Sequence, residues 1–313
     1  MSSIKKQQHH VFEYYLKAWA ESHSFCCYSK DNNNRFSTNP ENVGKKRLFY
    51  QLKRLTTEDL QFIDLMIGPM DYRLRRINSD FVRLTQLPFK LEDSLDDPTL
   101  SPEHKQELER EIEKAKANVI EDIHARIESH ALPLLSALRK YDDNFYADLD
   151  QCINFVIFLL HQYFRTDNLR REISALPDMI QGHSFERTAF LFNHIYAISA
   201  GASVYRDRDA YKIIFLKNTT GIPLITGDQP VLNLLDPTDT ADIELYYPVS
   251  PETAILLSCD ENKTANKIRN ITDMEVTSYN FMIFNKAADQ VYSSDADYLD
   301  SFVQAAKLQL MEP

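Results

Sequence analysis

Apolar residues recur at helical spacing through the first two thirds of the chain and fall into short runs in the last third, which predicts helices followed by strands. Val11, Tyr14, Tyr15 and Ala18 predict a short amphipathic helix over residues 11–20, with His9 and His10 at its mouth. Residues 24–29 and 35–38 flank Lys30-Asp31-Asn32-Asn33-Asn34, whose Asp and Asn residues tolerate the backbone of a hairpin turn, so a β-hairpin is expected. Thr57-Glu58-Asp59-Leu60 opens a helix with Leu60, Ile63, Met66 and Ile67 on one face, ended by Gly68-Pro69.

Residues 92–102, with Asp93, Asp96, Asp97 and two prolines, read as an exposed linker whose acidity is solvation. Ser101-Pro102 then starts a long helix, because serine caps free amides and proline fits the first turn. Leu108, Ile112, Ala115, Val119, Ile123 and Ile127 mark its apolar face, Glu107, Glu111, Glu113, Lys105, Lys114 and Lys116 its polar one, and Pro133 is expected to interrupt it. Residues 153–160 are apolar all round, the pattern of a central buried helix, which delivers His161, Gln162 and Arg165 at its end. A further helix covers 186–200. Strands are predicted at 210–216, 224–225, 243–246, 254–258 and 279–285, and a closing helix at 296–311.

Residues 213–216 and 224–225 read as a hairpin around the turn 217–223, and Pro230 forbids a regular continuation. Asp228 thus sits at a sheet end, either as a site carboxylate or as an acceptor for turn amides. The fold class is α+β: an N-terminal short helix and β-hairpin, a large central helical region, and a C-terminal mostly antiparallel sheet closed by a helix. The regions 1–90, 91–203 and 204–313 are expected to form one integrated domain.

The 313 residues are long enough for a substantial core. No apolar run of membrane-spanning length occurs and the start is polar, so a cytoplasmic protein with no membrane association is expected. Cys26, Cys27, Cys152 and Cys259 have no C-x-x-C spacing, which predicts reduced thiols and no structural zinc. A net charge of -11 argues against broad adhesion to nucleic acid but leaves room for a local basic groove. Neither a dinucleotide nor a phosphate glycine loop is present, nor a G-x-S-x-G elbow or H-E-x-x-H.

Six ordered pieces resemble a known family. They are His9-His10-Val11 with Tyr14-Tyr15-Leu16, Asn42-Val43 with Phe49-Tyr50, Gln162-Tyr163-Phe164-Arg165-Thr166, Thr226-Gly227-Asp228-Gln229-Pro230-Val231, Tyr247-Pro248-Val249-Ser250-Pro251, and Tyr279-Asn280. Over nearly its full length the chain resembles the bacterial family catalogued as domain of unknown function 4238. Phe12 stands where that family usually has proline, and Gly227 where it usually has serine. The resemblance implies positions rather than an activity: His9, His10, Gln162, Arg165, Asp228, Pro230 and Asn280. Some members look like parts of phage-defence or toxin loci.

These are residue types that a phosphate-handling site uses. The expected site brings together His10, Arg165 and Asp228 as catalytic groups and His9, Gln162 and Asn280 as substrate-binding ones, with the N-terminus closing it. His10 would move the proton, Arg165 would hold a phosphoryl or carboxylate oxygen, and Asp228 would orient His10 or a divalent ion, although the chain shows no spaced metal-ligand set. Arg170, Arg171, Arg206, Arg208 and Lys212 could extend Arg165 into a basic strip. That reading is a nuclease-like or phosphodiesterase-like hydrolase. Two alternatives stay open: a module that binds a nucleotide or small anion without catalysis, and a protein that binds a partner through the 101–141 helix, its polar cluster being structural. Arg165 paired with Asp228 in a buried ion pair is the structural version of the same residues.

Overall fold

A computed structural model describes residues 3–177, 180–236 and 242–311. Strand β1 (Gln7–His9) leads into helix α1 (Glu13–Leu16), which tightens into a 3-10 turn over Lys17–Trp19. β2 (Phe25–Ser29) and β3 (Asn34–Thr38) form the predicted hairpin, Phe25 opposite Thr38, and β4 (Lys45–Arg47) returns to pair with β1. The residue entering α1, Phe12, has φ -64°. That is the value proline fixes, so Phe12 holds a backbone path that a proline could also take.

Helix α2 (Thr57–Ile67) begins at a capping box, in which Thr56 and Asp59 each bind the other's backbone N–H. α3 (Tyr72–Asp93), capped by Asp71, follows, and the sequence reading did not resolve it as a separate helix. α4 (Pro102–Leu138) starts as expected, the Ser101 hydroxyl accepting from the His104 N–H at 3.3 Å. Two expectations about α4 are corrected. Pro133 does not interrupt it: Ser129 and Pro133 are exposed, so the carbonyl deprived of its donor faces water, while buried Leu134, Leu135 and Leu138 hold the last turn. The buried face is also rotated, by about a quarter turn, from the aliphatic row. Ile112, Lys116, Ile120, His124 and Ala131 point inward, while Val119, Ile123 and Ile127 lie at its margin.

α5 (Leu149–Phe164) is the central helix. Phe155, Val156, Phe158 and Leu159 are fully buried, with α4 on one side and, beyond the short α6 (Asp167–Ser174), α7 (Phe185–Arg206) on another.

The C-terminal third holds β5 (Lys212–Asn218), β6 (Thr226–Gly227), β7 (Leu232–Asn233), β8 (Leu245–Ser250), β9 (Thr253–Ser258), α8 (Glu261–Thr264), β10 (Ile268–Ile271), α9 (Asp273–Lys286), β11 (Gln290–Ser293) and α10 (Ala296–Met311). One sheet has the order β10-β5-β9-β8-β7, antiparallel except for the β10-β5 pair; a second has the order β3-β2-β11-β6. The N-terminal hairpin is therefore built into a sheet with the C-terminal strands. Adjacent Cys26 and Cys27 on β2 point into different cores, as strand alternation requires.

The hairpin between 213–216 and 224–225 does not form: β5 pairs with β9 and β10. Side chains have taken the backbone groups it would need. Trp19 Nε1 donates to Leu224 O at 2.8 Å, and Asn280 Oδ1 accepts from Ile225 N–H at 3.0 Å. The strand predicted at 279–285 is instead part of α9, opened by a Thr272/Glu275 capping box, with Val276, Asn280, Ile283 and Phe284 inward. The apolar run 281–284 imitates a strand, but the inward spacing of four and three is helical. Among the described residues no helix is long and apolar enough to cross a membrane.

Candidate active site

The sequence-predicted residues separate into two places. In the first, Asp228 follows β6 and its carboxylate accepts three backbone N–H groups from the turn before β11: Ala288 at 2.7 Å, Asp289 at 2.8 Å and Gln290 at 3.0 Å. Burial pushes its pKa up, and those three amides pull the other way. Asn280 is occupied as fully, holding Ile225 N–H, Pro223 O at 2.9 Å and the Tyr298 hydroxyl at 2.8 Å. Tyr15 joins Thr226 by a 2.6 Å hydroxyl contact and stacks on Tyr247 at 4.9 Å. Neither His10 nor Arg165 is a hydrogen-bond partner of Asp228, and the Arg165–Asp228 ion pair is replaced by another.

That other pair is the centre of the second place. Arg165, 2% exposed at the end of α5, donates to Glu128 Oε1 at 2.5 Å and to Gln162 Oε1 at 3.3 Å. Glu128 lies on α4, as do Glu121 and His124. His124 stacks on Tyr50 at 4.7 Å and meets His161 edge-on at 5.7 Å. The His161 and His194 rings are linked, Nε2 to Nδ1, at 3.1 Å, and His194 stacks on Phe81. His9 and His10 arrive on the β1 strap. Gln8 fastens this strap by donating to Ala117 O at 2.6 Å and accepting from Tyr50 N–H at 2.7 Å. Asn118 fastens it further through Lys5 N–H and Ser3 O. The His10 ring rests on Phe49 at 5.2 Å.

Burial sets the protonation of this cluster. It brings His10 down to about 3 against the pull of Asp167, and His161 to about 4; His9, His124 and His194 shift the same way for the same reason. These imidazoles are neutral at pH 7. Burial also raises Glu121 to about 7, with Arg165 pulling against it, and raises Glu128. Arg165 stays charged, since Glu128, Tyr50 and Glu121 outweigh the burial that opposes it.

A cavity of about 20 Å³, counted as room for water centres, lies against Arg165 and is lined by His124, His161, Asn193, His194, Phe49 and Arg170 among others. That is space for about one water, which makes about three hydrogen bonds. Three lining atoms lack a protein partner and match it: His124 Nδ1, Arg165 Nε and Asn193 Oδ1. Among the buried atoms without a protein partner outside the lining, His9 Nε2, His10 Nδ1, Glu121 Oε2, Gln162 Nε2 and the Tyr247 hydroxyl all feel the field of this cluster. A buried polar atom left without any partner costs about 1–3 kcal/mol, so a group of them opposes folding unless something fills it. Among the described residues no group of three or more His, Cys, Asp or Glu is arranged to hold a metal ion.

The pieces His9-His10-Val11, Phe49-Tyr50 and Gln162–Thr166 thus meet around Arg165, while Thr226–Val231, Tyr247–Pro251 and Asn280 brace the core beside it. Residues 7–297 match the family described as "Protein of unknown function (DUF4238)". The chain belongs to this family. No curated protein and no solved structure matches it.

Within this DUF4238 chain the two places are stitched together by Thr166 and Gln229, whose side chains share a short hydrogen bond. Arg170 alone of the proposed basic strip reaches the cluster, over the Phe49 ring at 4.6 Å. Arg171 pairs with Asp167, Arg206 with Asp207, and Arg208 lies over Tyr205. The sequence reading missed Glu121, His124, Glu128 and His194. Glu121, His124 and Glu128 stand at positions i, i+3 and i+7 of α4 and so share a side of it. Phasing the helix on its aliphatic row placed them on the wrong side. Gly227 is a packing residue: a Cβ there would come within 3.0 Å of Gln290 O and 3.2 Å of Ala287 Cβ.

Proposed function

We propose that this DUF4238 chain is a hydrolase that acts by general acid–base chemistry on a small phosphoryl-bearing substrate, with the Arg165 cluster as its site and a nucleotide phosphodiester as the first candidate. The observation that carries the reading is the group of unpartnered atoms around a buried guanidinium. Arg165 Nε and Gln162 Nε2 are donors, Glu121 is a donor when protonated, and a neutral imidazole donates from one nitrogen. Such a set fits oxyanion oxygens. Glu121, held near 7, is the proton donor to the leaving oxygen, a role that needs a pKa near the working pH. His10, neutral and brought in on the strap, accepts from the attacking water, and the negative charge that a phosphoryl substrate brings raises its basicity for the proton transfer. A cavity with room for about one water means that substrate entry requires the strap or a neighbouring helix to move.

The test incubates purified protein with RNA, DNA, linear and cyclic dinucleotides and mononucleotides, with and without divalent ions, and resolves products by chromatography. A hydrolysis product that disappears in Glu121→Gln and His10→Phe, with a rate falling as pH rises through about 7, is the expected result. Intact substrates under every condition overturn catalysis. Expression in a bacterial host tests the defence or toxin setting: growth slowed by the wild type and restored by Glu121→Gln.

One observation favours binding without turnover. Glu128 already neutralises Arg165, which suits a sensor that exchanges an internal carboxylate for a ligand's anion. A rise in melting temperature with nucleotide or inorganic phosphate, lost in Arg165→Met/Glu128→Gln and unaccompanied by product, decides for that reading.

A further inference from the structure

Helix α3 buries Asn78, Phe81, Val82, Thr85, Gln86 and Phe89 against its neighbours and leaves a second, ordered face in solvent. Ile77, Leu84 and Leu91 recur every seven residues with Leu87 between the last two, and they are 49%, 42%, 41% and 48% exposed. These are a and d positions of a heptad, a narrow apolar seam about 21 Å long. Alongside it, at the same seven-residue interval, run Arg76, Arg83 and Lys90. Residues 72–91 carry five cations, Arg73, Arg75, Arg76, Arg83 and Lys90, against the single carboxylate Asp80, which pairs within the helix with Arg83 and, at 3.9 Å, with Arg76, so the row keeps an excess of positive charge in a chain whose net charge is -11. An apolar seam this regular on an exposed helix is not needed for the fold, since the inner face already packs.

We propose that this face of α3 docks an acidic amphipathic helix of another protein. The charge row selects the occupant. A second copy is disfavoured: set antiparallel, two α3 helices bring Arg76, Arg83 and Lys90 against the same residues of the other. Set parallel, they aim that row at Leu74, Phe81 and Pro88, of which Phe81 and Pro88 are buried in this chain's own core. A lipid surface is disfavoured because Asp80 lies in the seam, at the d position between Ile77 and Leu84. A helix with leucine at its own a and d positions and glutamate beside them meets the apolar row and the excess cations, while Asp80 keeps its partners Arg76 and Arg83 within α3. This surface is independent of the Arg165 site and of the reading proposed for it.

The experiment titrates the full chain into a fluorescent 21-residue peptide with leucine at a and d and glutamate at e and g, and into a twin with lysine at e and g, and reads anisotropy. The glutamate peptide is expected to bind at least tenfold more tightly, and more weakly as salt rises. Charge reversal by Arg76→Glu/Arg83→Glu/Lys90→Glu is expected to invert the preference, and Leu84→Ser/Leu87→Ser to abolish binding of both peptides. Circular dichroism melts confirm that the variants fold. No binding of either peptide, equal binding of both, or an order unchanged by charge reversal overturns the proposal. So does dimerisation of the chain, or its sedimentation with anionic vesicles, that the Leu84/Leu87 change removes.

Discussion

Asp228 and Arg165 are both buried, both ionisable and both set in segments that follow the family pattern, yet their surroundings differ in kind. The Asp228 carboxylate meets three amides within 3.0 Å and leaves them no other task. Arg165 has one strong partner, a free Nε, and neighbours with orphaned atoms of their own. A satisfied polar group raises stability and narrows the native state; an unsatisfied cluster lowers stability and persists where something else selects for it. Asp228 and Asn280 thus brace the molecule through satisfied bonds, while Arg165 and its neighbours keep polar atoms unpaired.

The largest effect that sharpens this contrast is expected at Asp228. Asp228→Ala strips three part-buried N–H groups of their shared acceptor and should cost about 3 kcal/mol in urea unfolding, with activity per folded molecule unchanged. A loss below about 1 kcal/mol would remove the carboxylate from its bracing role. Level with that variant comes Arg165→Met, which leaves Glu128 buried without its cation, at a cost of about 3 kcal/mol. Adding Glu128→Gln should return most of that stability while function stays lost, because the pair is nearly neutral in energy when removed together. If the double variant is as unstable as the single one, the cluster is a structural keystone like Asp228 and the contrast breaks.

The pH dependence is smaller and has a defined sign. Glu121 titrates near 7 in the folded chain against an ordinary 4.5, so its contribution is fully present below about 4.5 and is lost as pH rises through about 7. Glu121→Gln should consequently gain on the wild type above pH 7, by about 2 kcal/mol after allowing for partial exposure. His10 runs the other way: with a folded value of about 3 against 6.5, its contribution is present above 6.5 and is lost as pH falls toward 3. His9, His124, His161 and His194 share its direction, so melting temperature should drop below pH 6 and recover in part in His161→Gln. The smallest effect belongs to Gly227→Ser. The added Cβ must push Gln290 O and Ala287 by a few tenths of an ångström, a cost of about 1 kcal/mol seen as a small shift in melting temperature, with no change at the Arg165 site.

The sequence disclosed elements wherever local chemistry decides them. The Asn-rich turn between β2 and β3, the Ser101-Pro102 start of α4 and the all-apolar α5 depend on neighbours within a few residues. It misled where the decision is made at long range. Ile225 is kept from pairing with β5 by Asn280, 55 positions away, and Leu224 by Trp19, 205 positions away. For the site, Arg165, Gln162, His9 and His10 were legible because they break an apolar or terminal pattern. Glu121, His124 and Glu128 were not, because acidic residues and histidines in a long amphipathic helix look like its wet face until the packing of α5 fixes which side is dry.

The strand order β3-β2-β11-β6 has a consequence in time. β2 pairs with β11, Cys26 opposite Ser293, so residues 25–29 wait for residues 290–293. On a ribosome that delivers roughly 5–20 residues per second, β2 and β3 spend ten seconds or more, on the order of the synthesis time, as a hairpin without its sheet. Tyr15 and Trp19, which anchor the strap's far end at Thr226 and Leu224, wait almost as long. The helical middle can collapse early on its local contacts, but the β1 strap that carries His9 and His10 stays untethered on its Tyr15 side until the last third has emerged. The Arg165 cluster thus gathers from residues made early, while the Tyr15 end of the strap that carries His9 and His10 is fixed only once Thr226 and Leu224 are in place.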